Sequence, residues 1–177
     1  AVFEPNYLGD VLMTVPALRL LRAGFKDARI TAVVSAGLSG ALNGFADEFI
    51  ERPAKMKFGD RITLLAKVRN QKPDIAVLFR TTFTGAAIAF FSGARVRAGV
   101  DTEFAAPFLT RAFHRGNPRL PFYSEYIELS RLAGATGQAE NKLKVNIPED
   151  AGIFADAVLK ENGASGKTVI IISPGSS

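Results

Sequence analysis

The chain of 177 residues has no cysteine and one histidine, and these two shortages exclude several kinds of site. Without cysteine there is neither a disulfide framework nor a thiolate-bound metal, and the composition fits a reducing compartment. The single imidazole of His114 cannot form a histidine cluster around a metal ion. We therefore expect no metal site.

Long apolar runs and targeting signals are missing as well. The longest apolar stretch, residues 85–91, is much shorter than the roughly 20 residues that a membrane-spanning helix needs. No secretory signal peptide is visible. From these absences we expect a soluble, cytoplasmic protein.

The sequence also lacks the glycine motifs that hold nucleotides. Residues 163–168 resemble a phosphate-binding loop, but Glu161 stands where the motif needs glycine, and the segment follows a predicted helix. The first strand–helix turn contains only Gly9, and the side chains of Tyr7 and Leu8 would obstruct a dinucleotide pyrophosphate. We therefore expect no NAD or FAD, and no other cofactor.

The charge balance is basic, with 22 Lys and Arg against 17 Asp and Glu and a net charge of +5. Such a balance suits nucleic acid, an anionic membrane surface or a negatively charged substrate, and it also serves solubility. No nucleic-acid-binding signature is present, so we predict no nucleic-acid partner, although a basic α/β nucleic-acid-binding module stays open as an alternative. The basic residues concentrate in one stretch that contains the lone acid Asp60: Arg52, Lys55, Lys57, Arg61, Lys67, Arg69 and Lys72. Of these, Arg61 is our candidate for binding a negatively charged substrate.

Strand-like and helix-like segments alternate along the chain, which predicts an α/β fold with a Rossmann-like parallel sheet and helices on both faces. The predicted strands are residues 2–3, 29–34, 49–51, 75–79, 95–100, 142–145 and 169–172. The predicted helices are residues 11–22, 40–43, 59–69, 84–91, 124–132 and 148–161, with Ser124 as a cap. Residues 101–119 are predicted to be irregular, and Phe83, Phe90, Phe91, Phe104, Phe108 and Phe113 to lie mainly in the core.

The turn after the first strand carries the most informative residues, Asn6-Tyr7-Leu8-Gly9-Asp10. Ligands bind at the carboxyl edge of open parallel sheets, and this turn places a carboxylate there. Asp10 is either a proton acceptor facing the cleft or an N-cap bonded to backbone amides. Gly9 allows the backbone to approach a ligand, and Asn6 orients the ligand or fixes the loop.

A second polar group follows the predicted central strand 75–79. Arg80, Thr81 and Thr84 stand where a sheet contacts its ligand, so we predict that they bind it. Arg97 and His114 are weaker candidates for the same role. A lone histidine is more often a structural donor than a reagent.

Residues 6–18 resemble the opening signature of glycosyltransferase family 9, the ADP-heptose:lipopolysaccharide heptosyltransferases and their relatives. The pattern is an Asn or Ser, two further residues, Gly-Asp, and a helix with Thr-x-Pro-Ala-Leu. Residues 73–86, 92–99 and 172–176 are similar to further stretches of the family. His114 and residues 123–127 resemble its histidine and Glu-Arg-Tyr helix, although Glu125-Tyr126 lacks the usual arginine.

The resemblance implies the first half of an enzyme with two facing Rossmann-like domains, an architecture called GT-B. It implies an N-terminal acceptor-binding domain at residues 1–147, a linking helix and turn at 148–166, and the first strand of a donor domain at 167–177. The ADP-sugar donor would bind to the part of that domain beyond Ser177. The start at Ala1 and the end just after a strand also suggest a fragment, which we expect to be inactive alone.

The function implied by the resemblance is an inverting transfer of heptose, or a related sugar, from an ADP-sugar to a lipopolysaccharide core acceptor. Asp10 would be the catalytic base, and the enzyme would sit peripherally on the inner membrane surface. The implied acceptor-binding residues are Asn6, Gly9, Arg61, Arg80, Thr81, Thr84, Arg97 and His114. A GT-B transferase with a different nucleotide-sugar donor is the alternative.

Overall fold

The computed structural model describes residues 1–102, 104–115, 122–139, 143, 146 and 149–170. The chain divides into two compact units, Ala1–Val145 and Asn146–Ser177. The first unit contains the sheet, and the second contains the helix α6 (Glu149–Glu161). The predicted division into an acceptor-binding domain, a linking helix and the start of a donor domain stays a prediction.

The first unit alternates strands and helices. Its strands are β1 (Val2–Phe3), β2 (Thr31–Ser35), β3 (Glu48–Arg52), β4 (Ile75–Leu78), β5 (Val96–Val100) and β6 (Arg111–Phe113). Its helices are α1 (Leu8–Met13), α2 (Val15–Gly24), α3 (Phe58–Asn70), α4 (Phe83–Phe91) and α5 (Phe122–Leu132), with 3-10 turns at Ser39–Leu42 and Ala106–Phe108.

The described strands form one parallel sheet in the order β3-β2-β1-β4-β5-β6. Side chains alternate between the two faces of a strand. Val2 and Val77 accordingly pack with α2 and α5, whereas Phe3 and Leu78 pack with α3 and α4. Two hydrophobic clusters therefore cover the sheet, one on each face, and the predicted fold class is confirmed.

The prediction of one continuous helix over residues 11–22 is wrong. The helical segment begins earlier, at Leu8, and Thr14 separates α1 from α2. Pro16 explains the break, because it has no backbone N–H and its ring excludes the carbonyl of the residue four positions before it. In the structure it is part of the first turn of α2, where a missing N–H costs nothing.

Three further predictions need correction. Residues 111–113 form the edge strand β6 within the segment predicted to be irregular. Ser124 is the third residue of α5 and not a residue before it, so it does not cap the helix. Four of the phenylalanines predicted to lie in the core are exposed, although ring contacts join three of them to other phenylalanines: Phe83, Phe90, Phe91 and Phe104.

Two predicted strands fall largely outside the described residues. Of 142–145 the structure describes only residue 143, and of 169–172 only residues 169 and 170, which are not in a strand. Within the described ranges, no helix combines the length and the apolar character required to cross a membrane.

Candidate active site

The sheet places its crevice between β1 and β4. The strand order reverses there, and such a switch point is where open α/β sheets bind ligands, at the carboxyl ends of the strands. A cavity of about 230 Å³ lies at this edge. Its polar lining joins residues from five chain segments: Asp10, Arg80, Thr81, Thr102, Arg115, Glu125 and Tyr126.

A larger cavity, of about 440 Å³, is lined by Leu21, Ile30, Lys72 and Ile75 among others. Leu21 lies near the end of α2, Ile30 just before β2, and Lys72 and Ile75 just before and at the start of β4. This cavity therefore lies at the amino edge of the sheet. We assign the candidate site to the smaller cavity because the carboxyl edge of the sheet is where ligands bind.

Asp10 is the third residue of α1 and does not cap it. The N-cap residue is Tyr7, and no side-chain hydrogen bond caps the helix. The Asp10 side chain is partly buried and lines the 230 Å³ cavity, so open space lies in front of it. The first-turn amides of a helix favour a negative charge near them. Asp10 is therefore placed to meet a ligand and not only to stabilise its helix.

Hydrogen bonds hold α1 at both ends. Before the helix, Arg52 Nη2 donates to Asn6 Oδ1 at 2.7 Å. After it, the Thr14 hydroxyl is shared between Val11 O at 2.7 Å and Glu4 Oε2 at 2.9 Å. Asn6 thus fixes the loop, which is one of its two predicted roles. The helix that carries Asp10 is positioned from both sides.

Gly9 faces open space. A Cβ built at this position would meet no heavy atom within 4 Å, so packing inside the described structure does not require glycine here. The residue leaves the backbone beside Asp10 uncovered. This is compatible with the predicted approach of an acceptor.

Glu4 is a buried acid that sequence reasoning missed. It directly follows β1, is 1% exposed, and its Oε1 atom has no hydrogen-bond partner among the described residues. Burial raises the pKa of Glu4 to about 8, against a smaller lowering by the Thr14 hydrogen bond. The side chain is therefore mainly uncharged at neutral pH. Its position at the end of an apolar strand was the only signal in the sequence.

Of the three site residues predicted after β4, Arg80 and Thr81 line the cavity and Thr84 does not. Thr81 lines the cavity, and its Oγ1 atom accepts from Val100 N at 2.7 Å, which ties this loop to β5. Arg80 also lines the cavity and makes no side-chain hydrogen bond or ion pair within the described structure. Thr84 is partly buried in the first turn of α4 and does not line this cavity. The cap of that helix is Thr82, whose Oγ1 accepts from Gly85 N at 3.1 Å.

A bidentate ion pair forms another wall of the cavity. Arg115 donates through Nε and Nη2 to the two carboxylate oxygens of Glu125, at 2.5 and 2.8 Å. This hydrogen bonding raises the pKa of Arg115. Glu125 belongs to the helix singled out by the family resemblance, but no pattern in the sequence indicates that Arg115, from the segment predicted to be irregular, pairs with it.

Tyr126 lines the same cavity. Its pKa rises to about 12, first because the ring is buried and then because Asp10, Glu125 and Glu4 place negative charge near it. The phenol therefore keeps its hydrogen at neutral pH and can donate it to a ligand oxygen.

Like Thr84, the predicted residues Arg97, His114 and Arg61 do not line this cavity, and neither do Asn6 and Gly9. Arg97 is the second residue of β5, toward its amino end, and donates to Phe108 O at 2.6 Å and Ala94 O at 2.5 Å. His114 follows β6 at the carboxyl edge, with Nδ1 2.9 Å from Asp101 Oδ2. Arg61 is exposed in the first turn of α3. The Arg97 guanidinium thus holds the local backbone through hydrogen bonds, whereas the ligand-binding roles of His114 and Arg61 stay predictions.

The described residues contain no group of three or more histidine and acidic side chains that could hold a metal ion.

Neither a family model nor a curated protein matches the sequence. Solved structures do match. A glycosyl transferase family 9 protein from Veillonella parvula is similar over 93% of the chain, with a TM-score of 0.80 and 23% identity. ADP-heptose lps heptosyltransferase II of E. coli is similar over 93% of the chain, with a TM-score of 0.73 and 22% identity. The E. coli heptosyltransferase WaaC with ADP matches 80% of it, with a TM-score of 0.62 and 19% identity.

The chain has the fold of one half of these glycosyltransferases. It covers 49 to 50% of the length of each of the three matched structures. The α/β fold predicted from the sequence, that of one half of a GT-B glycosyltransferase, is confirmed. At these identities the likeness concerns the fold, and the chemistry has to be argued from the cavity.

Proposed function

We propose that the chain is the acceptor-binding half of an inverting glycosyltransferase. In this proposal the enzyme moves heptose, or a related sugar, from an ADP-sugar to a lipopolysaccharide core acceptor. The observation that carries it is the position of Asp10, which faces an open cavity at the switch point of a fold shared with two solved heptosyltransferases.

Asp10 would act as the general base. The acceptor hydroxyl must lose its proton as its oxygen attacks the anomeric carbon, and a carboxylate within hydrogen-bond reach can accept that proton. The new bond forms on the face opposite the departing nucleotide, whose oxygen keeps the bonding electrons. Attachment of α1 through Asn6 and Thr14 keeps the carboxylate in place during this step.

Arg80 and Thr81 would contact the acceptor in the same cavity, and Tyr126 would donate to one of its oxygens. Gly9 and Asn6 would border the acceptor from the α1 side, and Thr84, Arg61 and His114 from the rest of the carboxyl edge. Arg97 is not included, because its guanidinium already donates to two backbone carbonyls.

The test is substitution of Asp10 in a protein that joins this chain to a nucleotide-sugar-binding domain. Asp10→Asn and Asp10→Ala should lower the rate of sugar transfer by about 10²- to 10⁴-fold, the usual contribution of a general base. Thermal stability should stay unchanged, because no described hydrogen bond involves the Asp10 carboxylate. The matched control is Asp27→Asn, an exposed acid at the amino edge, which should keep full activity.

Near-normal turnover of Asp10→Ala would end the assignment of the base. The isolated 177 residues should show no transfer, because in this proposal a second domain binds the nucleotide sugar. Detectable transfer would contradict the half-enzyme proposal. A panel of nucleotide sugars would separate an ADP-heptose enzyme from a GT-B transferase with another donor. Salt-sensitive binding to generic oligonucleotides would instead favour a nucleic-acid-binding module.

We also propose peripheral contact with the cytoplasmic face of the inner membrane. The net charge of +5 would attract anionic lipids, and several exposed aromatic rings could enter a lipid surface: Phe83, Phe90, Phe91 and Phe104. Sedimentation with phosphatidylglycerol vesicles tests this, and replacing Phe83 and Phe91 by Ser should weaken it. Binding that is unchanged in this variant would refute the aromatic contribution.

A further inference from the structure

A second, smaller cavity adjoins the candidate active site on the other side of Arg80. It measures about 50 Å³, which leaves room for a group of only a few heavy atoms. Arg52 and Arg80 both line it, and Arg80 also lines the Asp10 cavity. The cavity thus lies at the switch point, beside the proposed acceptor.

The positive charge in this small cavity is not neutralised. Neither Arg52 nor Arg80 forms an ion pair with an acid in the described part of the chain, and burial together with the nearby charge of Arg80 lowers the pKa of Arg52. The acid that contributes to the lining is Glu4, which is itself buried and mainly uncharged. Arg52 is half-buried and Arg80 is exposed, and both line this cavity without a counter-charge. Their like charges repel each other, and an anion between them would relieve that repulsion.

Arg52 is held in place for such a role. It is half-buried at the end of β3, and its Nη2 atom donates to Asn6 Oδ1 at 2.7 Å and to Glu4 O at 3.3 Å. A guanidinium has five N–H donors, and these two contacts use one nitrogen. The remaining donors are available to a ligand with several acceptor oxygens.

The start of α4 adds to the positive potential. Thr82 and Gly85 line the cavity at the start of this nine-residue helix. The Gly85 amide already donates to Thr82 Oγ1, which leaves the Phe83 and Thr84 amides without an acceptor inside the helix. The positive end of a helix favours an anion. Further cations surround this edge, since Lys55 and Lys57 lie between β3 and α3 and Arg61 in the first turn of α3.

We propose that Arg52, Arg80 and the first turn of α4 form an anion subsite that binds a phosphate or carboxylate group of the acceptor. The proposal rests on the proposed function for the identity of the acceptor, but not for the binding of the anion. Arg80, shared by both cavities, would fix the distance between this anionic group and the hydroxyl that faces Asp10. Planar guanidinium groups suit such bidentate recognition.

The test uses the 177-residue chain and three probes: inorganic phosphate, glucose 1-phosphate and glucuronate. Each is titrated at constant ionic strength while NMR follows the arginine Nε–H signals and the backbone amides at the start of α4. We expect saturable shifts centred on these groups. The probe that binds more tightly identifies a phosphate or a carboxylate as the natural group.

Substitutions decide whether the site is specific. Arg80→Gln should weaken binding at least about tenfold, the usual loss for a charge-assisted hydrogen bond. It breaks no described hydrogen bond of its own. Arg52→Gln should weaken binding to a similar extent. Arg52→Lys keeps a positive charge and a donor for Asn6, so its affinity for the anion should lie between those of the wild type and Arg52→Gln. The matched control is Arg95→Gln, which removes one exposed charge just before β5, at the opposite edge of the sheet, and should change nothing.

Equal losses in Arg80→Gln and Arg95→Gln would overturn the proposal, because the probes would then sense only the net charge. Shifts that do not saturate would overturn it as well. Asp10→Asn should keep the affinity for phosphate. A failure of the subsite is therefore distinguishable from a failure of Asp10 as the base, which is measured by sugar transfer.

Discussion

Glu4 predicts an unusual dependence of stability on pH. In the unfolded chain its carboxyl group titrates near the ordinary value of 4.5, whereas burial raises its pKa to about 8 in the native protein. Between these values the native state holds a proton that the unfolded state has released. The free energy of unfolding therefore falls as the pH rises through this window, and Glu4 causes no further change above it.

The magnitude follows from the two pKa values. At ~1.4 kcal/mol per pH unit, the full shift corresponds to about 5 kcal/mol, of which about 4 kcal/mol is lost between pH 5 and pH 8.5. The free energy of unfolding of a natural domain is about 5–15 kcal/mol, so the ionisation of Glu4 alone would remove a large share of the stability. The charged groups that share the small cavity with Glu4 are Arg52 and Arg80, and the phenol of Tyr126 is close enough for its pKa to respond to the charge of Glu4.

The assay is urea denaturation of the wild type and of Glu4→Gln at several values of pH from 5 to 8.5. Glutamine has the shape of the uncharged acid but does not titrate, so the stability of Glu4→Gln relative to the wild type should rise by about 4 kcal/mol across the range. Other titrating groups are common to both proteins and cancel in the difference. The matched control is Glu51→Gln, at an exposed acid of β3, which should follow the wild type.

A difference between Glu4→Gln and the wild type that stays constant within about 1 kcal/mol over this range would refute the reasoning. It would mean that Glu4 is ionised in the native protein and paired with Arg52 or Arg80. The two arginines would then have a counter-charge, and the case for the anion subsite would weaken with it.

Two pairs of substitutions test the packing around the site by urea denaturation. Thr82→Ala removes the N-cap hydrogen bond of α4 and should lower the free energy of unfolding by about 1 kcal/mol. Thr84→Ala, two residues later in the first turn, leaves that hydrogen bond intact and should lower the free energy of unfolding clearly less. Gly99→Ala places a Cβ 2.9 Å from Thr81 Oγ1 and 3.0 Å from Leu109 Cδ2, and should destabilise by about 1–3 kcal/mol. Gly59→Ala is the control for it, because a Cβ there meets nothing within 4 Å and the fold should be as stable or slightly more so. Equal effects within either pair would contradict the contacts described.

The sequence identified the elements whose patterns are local. The buried runs that became β2 and β4, and the polar residues Asp10, Arg80 and Thr81 directly after apolar segments, were all visible as patterns of neighbouring residues. Pro16 was visible too, but its effect was misjudged, because one apolar pattern continues across the break between α1 and α2. The edge strand β6 escaped because three residues are too few to establish an alternation.

The residues that sequence reasoning missed depend on contacts between distant segments. Glu125 acquires its partner from the loop after β6, and the uncharged state of Glu4 depends on burial among residues from several elements. Arg97 looked like a ligand contact, yet its place near the amino end of β5 turns it toward backbone carbonyls. Local composition cannot encode such outcomes, because a pKa and a partner are set by whatever the fold brings nearby.

The amino-acid sequence by itself determined the alternation of strands and helices and the carboxylate in the turn after β1, because side-chain periodicity and turn chemistry act over a few residues. Only the tertiary structure decided that β1 and β4 are neighbours at the switch point. That pairing brings Asp10, Arg80 and Tyr126 to one cavity and places Arg52 beside Arg80 in the next. Distances across the sheet are set by strand order, and strand order depends on how the whole chain covers the two faces of the sheet.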